Sequence, residues 1–240
     1  MAEPLYLKDS YLKEFEATVI DVREFEGNIL IVLDRTAFYP IGGGQPFDTG
    51  RIINEKGEEY IVKEVYKYKG EIFHVVDREG LRVGDKVKGI INWDRRYRLM
   101  RMHTAAHLIS ALMGNEEGVL ITGNQLGVEK SRIDFNLETL DREKIKDYVE
   151  KANKLVEEGR EVRTYFLPRE EALKIPTISR LAKGLPGDLK EIRIVEIEGI
   201  DKQADGGTHV KNIKEIGRIE LLKIENKGRN NRRLYFTLTE

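Results

Sequence analysis

Alternating apolar and polar positions indicate that the first 92 residues are predominantly β-structure. The segments ATVIDVRE and NILIVLDR are rich in β-branched residues and are separated by a turn at Gly27-Asn28. A second pair, EYIVKEVYKY and EIFHVVD, flanks Lys69-Gly70, and DKVKGIINW is a further candidate strand. Several short strands with polar turns and no helical periodicity predict a small β-barrel over residues 1–92.

The hydrophobic period changes to that of a helix after Trp93. Asp94 can cap a helix from Arg95 to about Met113, with Gly114 at its end. The apolar positions of this helix recur at spacings of three and four: Leu99, Met102, Ala106, Ile109 and Met113.

The rest of the chain combines strands with a second amphipathic helix. This helix is predicted from about Asp141 to Glu158, with Gly159 after it. Its predicted buried face consists of Ile145, Tyr148, Val149, Ala152, Leu155 and Val156. Strands are predicted in VLITGNQLGVEKSRIDFNL, EVRTYFL and EIRIVEIE, with a short helical segment near 169–174 and a closing hairpin in GRIELLKIENKGRNNRRLYFTLT. The predicted fold class is therefore α+β, with domains at 1–92 and 93–240.

The composition narrows the class of protein. Hydrophobic residues make up 40% and charged residues 35% of the chain, as in a soluble globular protein. No run approaches the roughly 18 apolar residues that span a bilayer, and the N-terminus has no secretory pattern. We therefore expect a cytoplasmic protein without a membrane partner. The chain has no cysteine, which excludes disulfides and thiolate ligands and, with the many charged residues, fits a heat-adapted protein.

The net charge of −1 argues against nucleic-acid binding through overall charge, but two local basic clusters occur. Each could be a solvated surface or a phosphate-binding surface. The first, in WDRRYRLMRMH, contains Arg95, Arg96, Arg98 and Arg101, and the second, in KGRNNRR, contains Lys227, Arg229, Arg232 and Arg233.

Two of the four histidines, His103 and His107, lie one helical turn apart. Side chains at this spacing share a helix face and can converge on one cation. His209 is the better candidate for a third ligand because it follows a Gly-Gly pair, and Asp205 could add a carboxylate oxygen. The alternative is a pair of partly buried polar residues. The peptidase motif HExxH is excluded because Thr104 occupies the position of its glutamate.

Three stretches together resemble one family. HTAAH and DGGTH are similar to the paired HxxxH and CxxxH metal motifs of the alanyl-tRNA synthetase editing domain. RTAFYPIGGGQPFDTG resembles the Gly-rich segment before that domain, and KGRNNRRLYF resembles its closing strand. A chain of this length without a synthetase core resembles the AlaX trans-editing family of the medium type. The resemblance implies a translation-protein-like barrel followed by an editing domain of the type common to threonyl- and alanyl-tRNA synthetases.

The resemblance also implies an activity, a substrate and a cofactor. Members hydrolyse the ester that joins serine, and sometimes glycine, to tRNA(Ala), and His103, His107 and His209 would bind Zn²⁺. The fourth position is normally cysteine and here is Asp205, which could either ligate the metal or hydrogen-bond to a ligand or a water. Zinc would activate water or polarise the ester carbonyl, or it would position the substrate for attack by a separate water.

Further site residues are predicted around these motifs. Thr122 is the candidate for contact with the serine hydroxyl, because we expect its strand to face the zinc helix; an ordinary strand threonine is the alternative. The Gly-rich run is either a tight turn or a contact for the tRNA 3′ end, while His74 is expected to be a plain strand residue. The remaining candidates are Asn124, Arg132 and Asp134 in the pocket, Gln45, Thr36 and Phe38 on the barrel side, and Gly42, Gly43, Gly44 and the arginines of both basic clusters for tRNA.

Two other functions remain open from the sequence. One is a tRNA-binding module with a decayed metal site, which Asp205 in place of cysteine favours. The other is a hydrolase of D-amino-acid or small esters that acts without tRNA.

Overall fold

A computed structural model describes residues 2–139, 141–180 and 189–239. The chain divides into two compact units, Met1–Arg98 and Leu99–Glu240. This division falls inside the helix Trp93–Glu117. The sequence predicted the boundary at the start of that helix, after residue 92.

The first unit is a closed β-barrel. Its strands are β1 (Glu3–Pro4), β2 (Glu14–Phe25), β3 (Asn28–Leu33), β4 (Arg35–Thr36), β5 (Gly50–Asn54), β6 (Glu59–Tyr68), β7 (Glu71–Val76) and β8 (Lys86–Ile91). Six of them close in the order β2-β3-β7-β6-β5-β8, while β1 and β4 form a separate parallel pair. The predicted barrel is confirmed; the sequence did not predict β5 or the short strands β1 and β4.

Both predicted hairpins of the barrel are present and use two-residue turns with positive φ, but the first turn is at Glu26-Gly27 and not at the predicted Gly27-Asn28, because Asn28 already pairs with Phe25. Glu26 and Gly27 have φ of 49° and 74°, and Lys69 and Gly70 have φ of 48° and 86°. Positive φ at both central positions gives a turn whose twist matches that of the flanking strands, which explains a glycine in each pair. The inward side chains form one apolar core that includes Val19, Ile31, Leu33, Ile52, Val62 and Val65.

The first helix, α1 (Trp93–Glu117), is longer at both ends than predicted. Its start is capped by Asn92, whose side-chain oxygen accepts the Arg95 N–H at 3.3 Å, so the prediction of Asp94 as the cap is wrong. Asp94 lies instead in the first turn, where its negative charge interacts favourably with the helix dipole.

Gly114 lies inside α1 and does not end it. The helix ends before Gly118, which has φ of 67° and donates its N–H to the Gly114 carbonyl at 3.0 Å. A Cβ at Gly114 would lie 2.4 Å from Nη1 of Arg180. The glycine is therefore required by close packing and not by a turn.

The second unit is α+β. Its elements are β9 (Ile121–Gln125), β10 (Ser131–Phe135), α2 (Arg142–Glu158), β11 (Val162–Pro168), α3 (Arg169–Ala172), β12 (Glu191–Ile197), β13 (Asp201–Ala204), β14 (Arg218–Asn226) and β15 (Arg232–Thr239). One antiparallel sheet has the order β14-β15-β10-β9 and the other β11-β12-β13. The sequence did not predict β13, because DKQA is short and polar.

Helix α2 matches its prediction closely. Asp141 accepts the Lys144 N–H at 3.0 Å, and Gly159 follows the helix with φ of 79°. Within the predicted buried face Leu155 is only partly buried, and the buried Asn153 was missed. Asn153 exchanges two hydrogen bonds with the backbone of Ile219, at 2.8 and 3.0 Å, and so joins α2 to β14.

Within the described ranges, no helix is both long enough and apolar enough to cross a membrane.

Candidate functional site

Four donor groups meet in the second unit. His103 and His107 project from α1, and Asp205 and His209 lie in the loop that follows β13. Their ligand atoms all lie within 4.8 Å of one another. The Asp205 carboxylate lies 3.6 Å from Nε2 of His103, 3.7 Å from Nε2 of His107 and 3.1 Å from Nε2 of His209. The structure thus brings together all four predicted metal-site residues.

Local chain geometry aims these groups at one point. The i,i+4 spacing places His103 and His107 on one side of α1, with ring centroids 5.0 Å apart. In the loop, Oδ1 of Asp205 accepts the Gly207 N–H at 2.6 Å, a local bond that fixes the carboxylate beside His209. Arg193 holds the base of the loop, since its Nη1 donates to the Asp205 carbonyl at 2.8 Å.

The surroundings determine the protonation state of three groups of the cluster, His103, Asp205 and His209. Burial lowers the pKa of His103 to about 4 and that of His209 well below its usual 6.5. Burial by itself would raise the pKa of Asp205, but the three histidines hold it well below 3.8. At neutral pH His103 and His209 are therefore neutral and the Asp205 carboxylate is ionised, the forms that coordinate a cation.

The ligand atoms of the cluster are close enough together to hold one metal ion. Tetrahedral zinc with bonds of about 2.0–2.1 Å to nitrogen and oxygen separates its ligand atoms by about 3.3–3.4 Å. Oδ2 of Asp205 lies 3.6 and 3.7 Å from Nε2 of His103 and His107, slightly more than that value, whereas the other carboxylate oxygen, Oδ1, lies 3.1 Å from Nε2 of His209. The three histidine nitrogens and one carboxylate oxygen are also a donor set that zinc commonly uses.

Thr104 and Arg193 contact this cluster and were missed as site residues. Thr104 is fully buried, and its hydroxyl lies 3.1 Å from Nδ1 of His209. The sequence used Thr104 only to exclude the HExxH motif; its position between the two helix histidines was the available signal. Nothing in the sequence indicated Arg193, because its contact with the Asp205 loop exists only in the folded sheet.

Thr122 is exposed on β9, and its hydroxyl donates to Asn231 Oδ1 at 3.0 Å. The described residues therefore show the Thr122 hydroxyl bonded to Asn231, which does not belong to the metal cluster. Asn124 lies on the same strand, partly buried and opposite Ile133. Contact of either side chain with the substrate stays a prediction.

Asp134 is the centre of a charged group on neighbouring strands. It lies opposite Arg233 in the β10–β15 ladder, and that guanidinium donates to both carboxylate oxygens at 2.7 and 2.8 Å. Arg132 donates to the same carboxylate at 2.8 Å. The Asp134 carboxylate in turn raises the pKa of Arg233. Asp134 therefore balances two cations and holds them on the sheet.

Thr36 and Phe38 do not line an open pocket, contrary to the prediction. Both are fully buried in the first unit, where the Thr36 hydroxyl lies 2.8 Å from Nε2 of His74 and Phe38 packs edge-on against Phe15. His74 also hydrogen-bonds to the Ile31 carbonyl at 3.0 Å, so it is a core histidine of β7. A ligand cannot reach side chains with no accessible surface.

The Gly-rich run forms a tight turn. The backbones of Gly42 and Gln45 exchange hydrogen bonds of 3.1 and 2.8 Å, and Gly43 and Gly44 between them have φ of 57° and 85°. These backbone conformations explain glycine at both positions. Gln45 is fully buried, whereas Gly43 is exposed. The contact of Gly42, Gly43 and Gly44 with a tRNA end stays a prediction, whereas the Gln45 side chain, like those of Thr36 and Phe38, has no surface that a ligand could reach.

Two predicted phosphate ligands are wrong. Arg96 has no exposed surface and pairs with Asp48, while Arg232 is 6% exposed and donates to backbone carbonyls, among them that of Gly228. Neither guanidinium can reach a phosphate group, because each is enclosed by its own unit.

The other arginines keep accessible surface. Arg95 donates to the Phe47 carbonyl in the first unit, and Arg101 donates to the Ile216 carbonyl in the second. Arg98 is partly buried, and Arg229 is exposed in the turn before β15. Their contact with tRNA stays a prediction.

Two family models match parts of the chain. Residues 9–95 match the model described as tRNA synthetases class II (A), and residues 192–235 match the model described as threonyl and alanyl tRNA synthetase second additional domain. The second match contains Asp205 and His209 of the metal cluster.

Curated relatives match the whole length. The alanyl-tRNA editing protein AlaX-M of Methanosarcina barkeri is 51% identical over 246 residues, covering 100% of both chains. The protein of the same name from Saccharolobus solfataricus is 52% identical over 240 residues, covering 99% of each. The alanine–tRNA ligase of Ignicoccus hospitalis is 42% identical over 221 residues, which is 91% of this chain but 24% of the ligase.

Proposed function

Because the chain belongs to the AlaX-M family of alanyl-tRNA editing proteins, we propose that it is a zinc-dependent deacylase that removes wrongly attached serine, and also glycine, from tRNA(Ala). The observation that carries the proposal is the cluster of His103, His107, Asp205 and His209 in one unit of a chain with this membership.

The proposed zinc ligands are the three Nε2 atoms and the Asp205 carboxylate. When bound, zinc supplies the Lewis-acid chemistry suited to hydrolysis of an ester. Burial keeps His103 and His209 neutral, and the adjoining histidines keep the Asp205 carboxylate ionised. The Asp205 side chain is 19% exposed, so the cluster is open to solvent on the side of the carboxylate. We place the reacting ester on that side.

The proposed substrate follows from a general limit on recognition by size. A pocket that fits alanine cannot strongly reject glycine or the near-isosteric serine, so a second, hydrolytic site is needed. A polar group there can bind the serine hydroxyl, which alanine lacks. Thr122 and Asn124 remain the candidates, and for Thr122 the Asn231 contact would have to be exchanged for the substrate hydroxyl.

The tRNA would be held through its phosphates by the arginines that keep accessible surface: Arg95, Arg98, Arg101, Arg229 and Arg233. Such contacts position the substrate and make binding depend on salt concentration. Since charged tRNA is used in translation, we infer that the protein acts in the cytoplasm. The lack of cysteine, the charged composition and the relative from Saccharolobus solfataricus favour a heat-adapted source.

The experiment that tests this function is deacylation of Ser-tRNA(Ala), Gly-tRNA(Ala) and Ala-tRNA(Ala) by the full chain, with metal analysis of the same sample. We expect about one zinc per chain, hydrolysis of the two mischarged substrates only, and loss of both zinc and activity on chelation or in His103→Ala and His209→Ala.

His74→Gln is the matched control, because it changes the fourth histidine, which lies outside the cluster. It should keep its zinc and its activity. Undiminished deacylation in both cluster variants would refute the zinc assignment. Salt-sensitive tRNA binding without hydrolysis would instead identify a binding module, and turnover of small esters without tRNA would identify a different hydrolase.

A further inference from the structure

Thr104 joins the two chain segments that supply the metal cluster. It lies on α1 between His103 and His107, and its hydroxyl is 3.1 Å from Nδ1 of His209 in the loop. The same oxygen is 3.0 Å from the Met100 carbonyl and 3.3 Å from the Val210 nitrogen. We infer that Thr104 is a positioning residue that holds His209 with Nε2 directed at the other three donor groups; this rests on the metal site of the proposed function.

Counting protons and lone pairs gives the direction of these bonds. A threonine hydroxyl has one proton and two acceptor positions. The Met100 carbonyl can only accept, so the Thr104 proton goes there, the back-bond that threonine often makes inside a helix. The Val210 N–H can only donate, and it takes one acceptor position. The remaining position accepts the proton on Nδ1 of His209.

This assignment fixes the tautomer of His209 that a metal requires. With the proton held on Nδ1, the lone pair of the neutral ring is on Nε2. Nε2 lies 3.1 Å from Oδ1 of Asp205, and since both atoms are then acceptors, this approach requires either a cation between them or a second proton on the ring. A metal-binding histidine commonly donates its other ring N–H to a fixed acceptor in this way. Thr104 provides that acceptor.

The Val210 contact adds a constraint on the backbone. Thr104, His209 and Val210 are all buried, so water does not replace these bonds. The loop residue directly after His209 is therefore attached to the same hydroxyl as the imidazole. One turn of α1 thus contributes two candidate ligands and the group that orients the third.

The test compares Thr104→Val with Thr104→Ser in the full-length protein. Valine keeps the shape but has no hydroxyl, whereas serine keeps the hydroxyl. Zinc affinity is measured by competition with a chromophoric chelator, without tRNA. We expect Thr104→Val to bind zinc about 10- to 100-fold more weakly than wild type, and Thr104→Ser to bind within about threefold of wild type because its acceptor is retained.

A purely structural role would give a different result. In that case Thr104→Val would lower the thermal stability of the metal-free protein but leave zinc affinity unchanged, and the inference would be overturned. If wild type itself bound no zinc, the proposed metal site would fail together with the inference; zinc binding by wild type with equal affinity in Thr104→Val would overturn the inference alone.

A second measurement needs no variant and covers the case in which Thr104→Val does not fold. Long-range ¹H–¹⁵N NMR of zinc-loaded wild type reports which ring nitrogen of His209 carries the proton. We expect a protected Nδ1–H and metal on Nε2. A proton on Nε2, or metal on Nδ1, would overturn the inference.

Discussion

Arg96 forms an ion pair with Asp48 in which Nε lies 3.0 Å from both carboxylate oxygens and neither side chain is exposed to solvent. The guanidinium also donates to the Ser10 carbonyl at 2.9 Å and to the Ala37 carbonyl at 2.5 Å. Asp48 in turn accepts the Tyr39 N–H at 2.6 Å. Arg96, which the sequence analysis assigned to phosphate binding, therefore stabilises the interior of the first unit.

Replacing Arg96 by alanine should destabilise the protein strongly. The variant leaves the Asp48 carboxylate buried without its cation, and breaking a buried pair in this way costs about 3–5 kcal/mol. Urea unfolding followed by circular dichroism measures the loss. Arg229→Ala is the control, since this exposed arginine should change stability by no more than about 0.5 kcal/mol. If the Arg96→Ala protein were stable and bound tRNA more weakly and with less dependence on salt, Arg96 would be a phosphate ligand after all.

Exchanging Asp205 should separate its two possible roles. Asp205→Asn keeps the shape but removes the charge that lies 3.1–3.7 Å from three imidazoles, so we expect zinc affinity to fall roughly tenfold or more. Asp205→Cys should restore tight binding, because a thiolate is a strong zinc ligand. Calorimetric titration of the metal-free proteins checks both. Equal zinc affinity in wild type and Asp205→Asn would show that the carboxylate is not a ligand.

His74 should make the barrel sensitive to acid. Burial lowers its pKa from 6.5 to about 4, so between these values the unfolded chain binds a proton that the folded protein does not. The free energy of unfolding therefore decreases as the pH is lowered from about 6.5 to about 4. The difference between the two pKa values corresponds to a loss of stability on the order of 3 kcal/mol.

His74→Gln tests this because glutamine does not titrate. The variant should show a flatter dependence of unfolding free energy on pH between 6.5 and 4 than wild type, whatever its stability at neutral pH. Comparing the two zinc-loaded proteins cancels the contribution of the histidine cluster. Parallel pH profiles would contradict the assignment of this proton uptake to His74.

Gly114→Ala should destabilise the second unit, although alanine is the better helix former. The new Cβ would approach Nη1 of Arg180 to 2.4 Å, and Arg180 cannot easily withdraw because its Nη2 donates to Asp201 at 2.7 Å and to Asn115 at 2.6 Å. Overpacking of this kind costs about 1–3 kcal/mol, against about 1 kcal/mol gained from helix propensity. Thermal unfolding shows whether Gly114→Ala lowers or raises the stability. A higher melting temperature than that of wild type would mean that Arg180 moves freely.

The sequence by itself determined the features that depend on near neighbours. The two barrel hairpins follow from alternation and from glycine in two-residue turns, and α2 follows from its apolar period, Asp141 and Gly159. The residues of the metal cluster were found because HxxxH on a helix and a histidine after Gly-Gly restrict geometry locally. The end of helix α1 was predicted wrongly, because Gly114 is required by packing against Arg180 and does not mark the end of the helix.

Only the tertiary structure decided which polar residues are enclosed and which partners they have. Arg96 meets Asp48 across 48 residues, and Thr104 meets His209 across 105. Such contacts leave no periodic signal, so Arg96 and Arg232 were indistinguishable in sequence from the exposed Arg229, and Thr36 and Phe38 from pocket residues. A side chain's chemistry is encoded at its own position, whereas its burial and hydrogen-bond partners arise only when distant segments pack together.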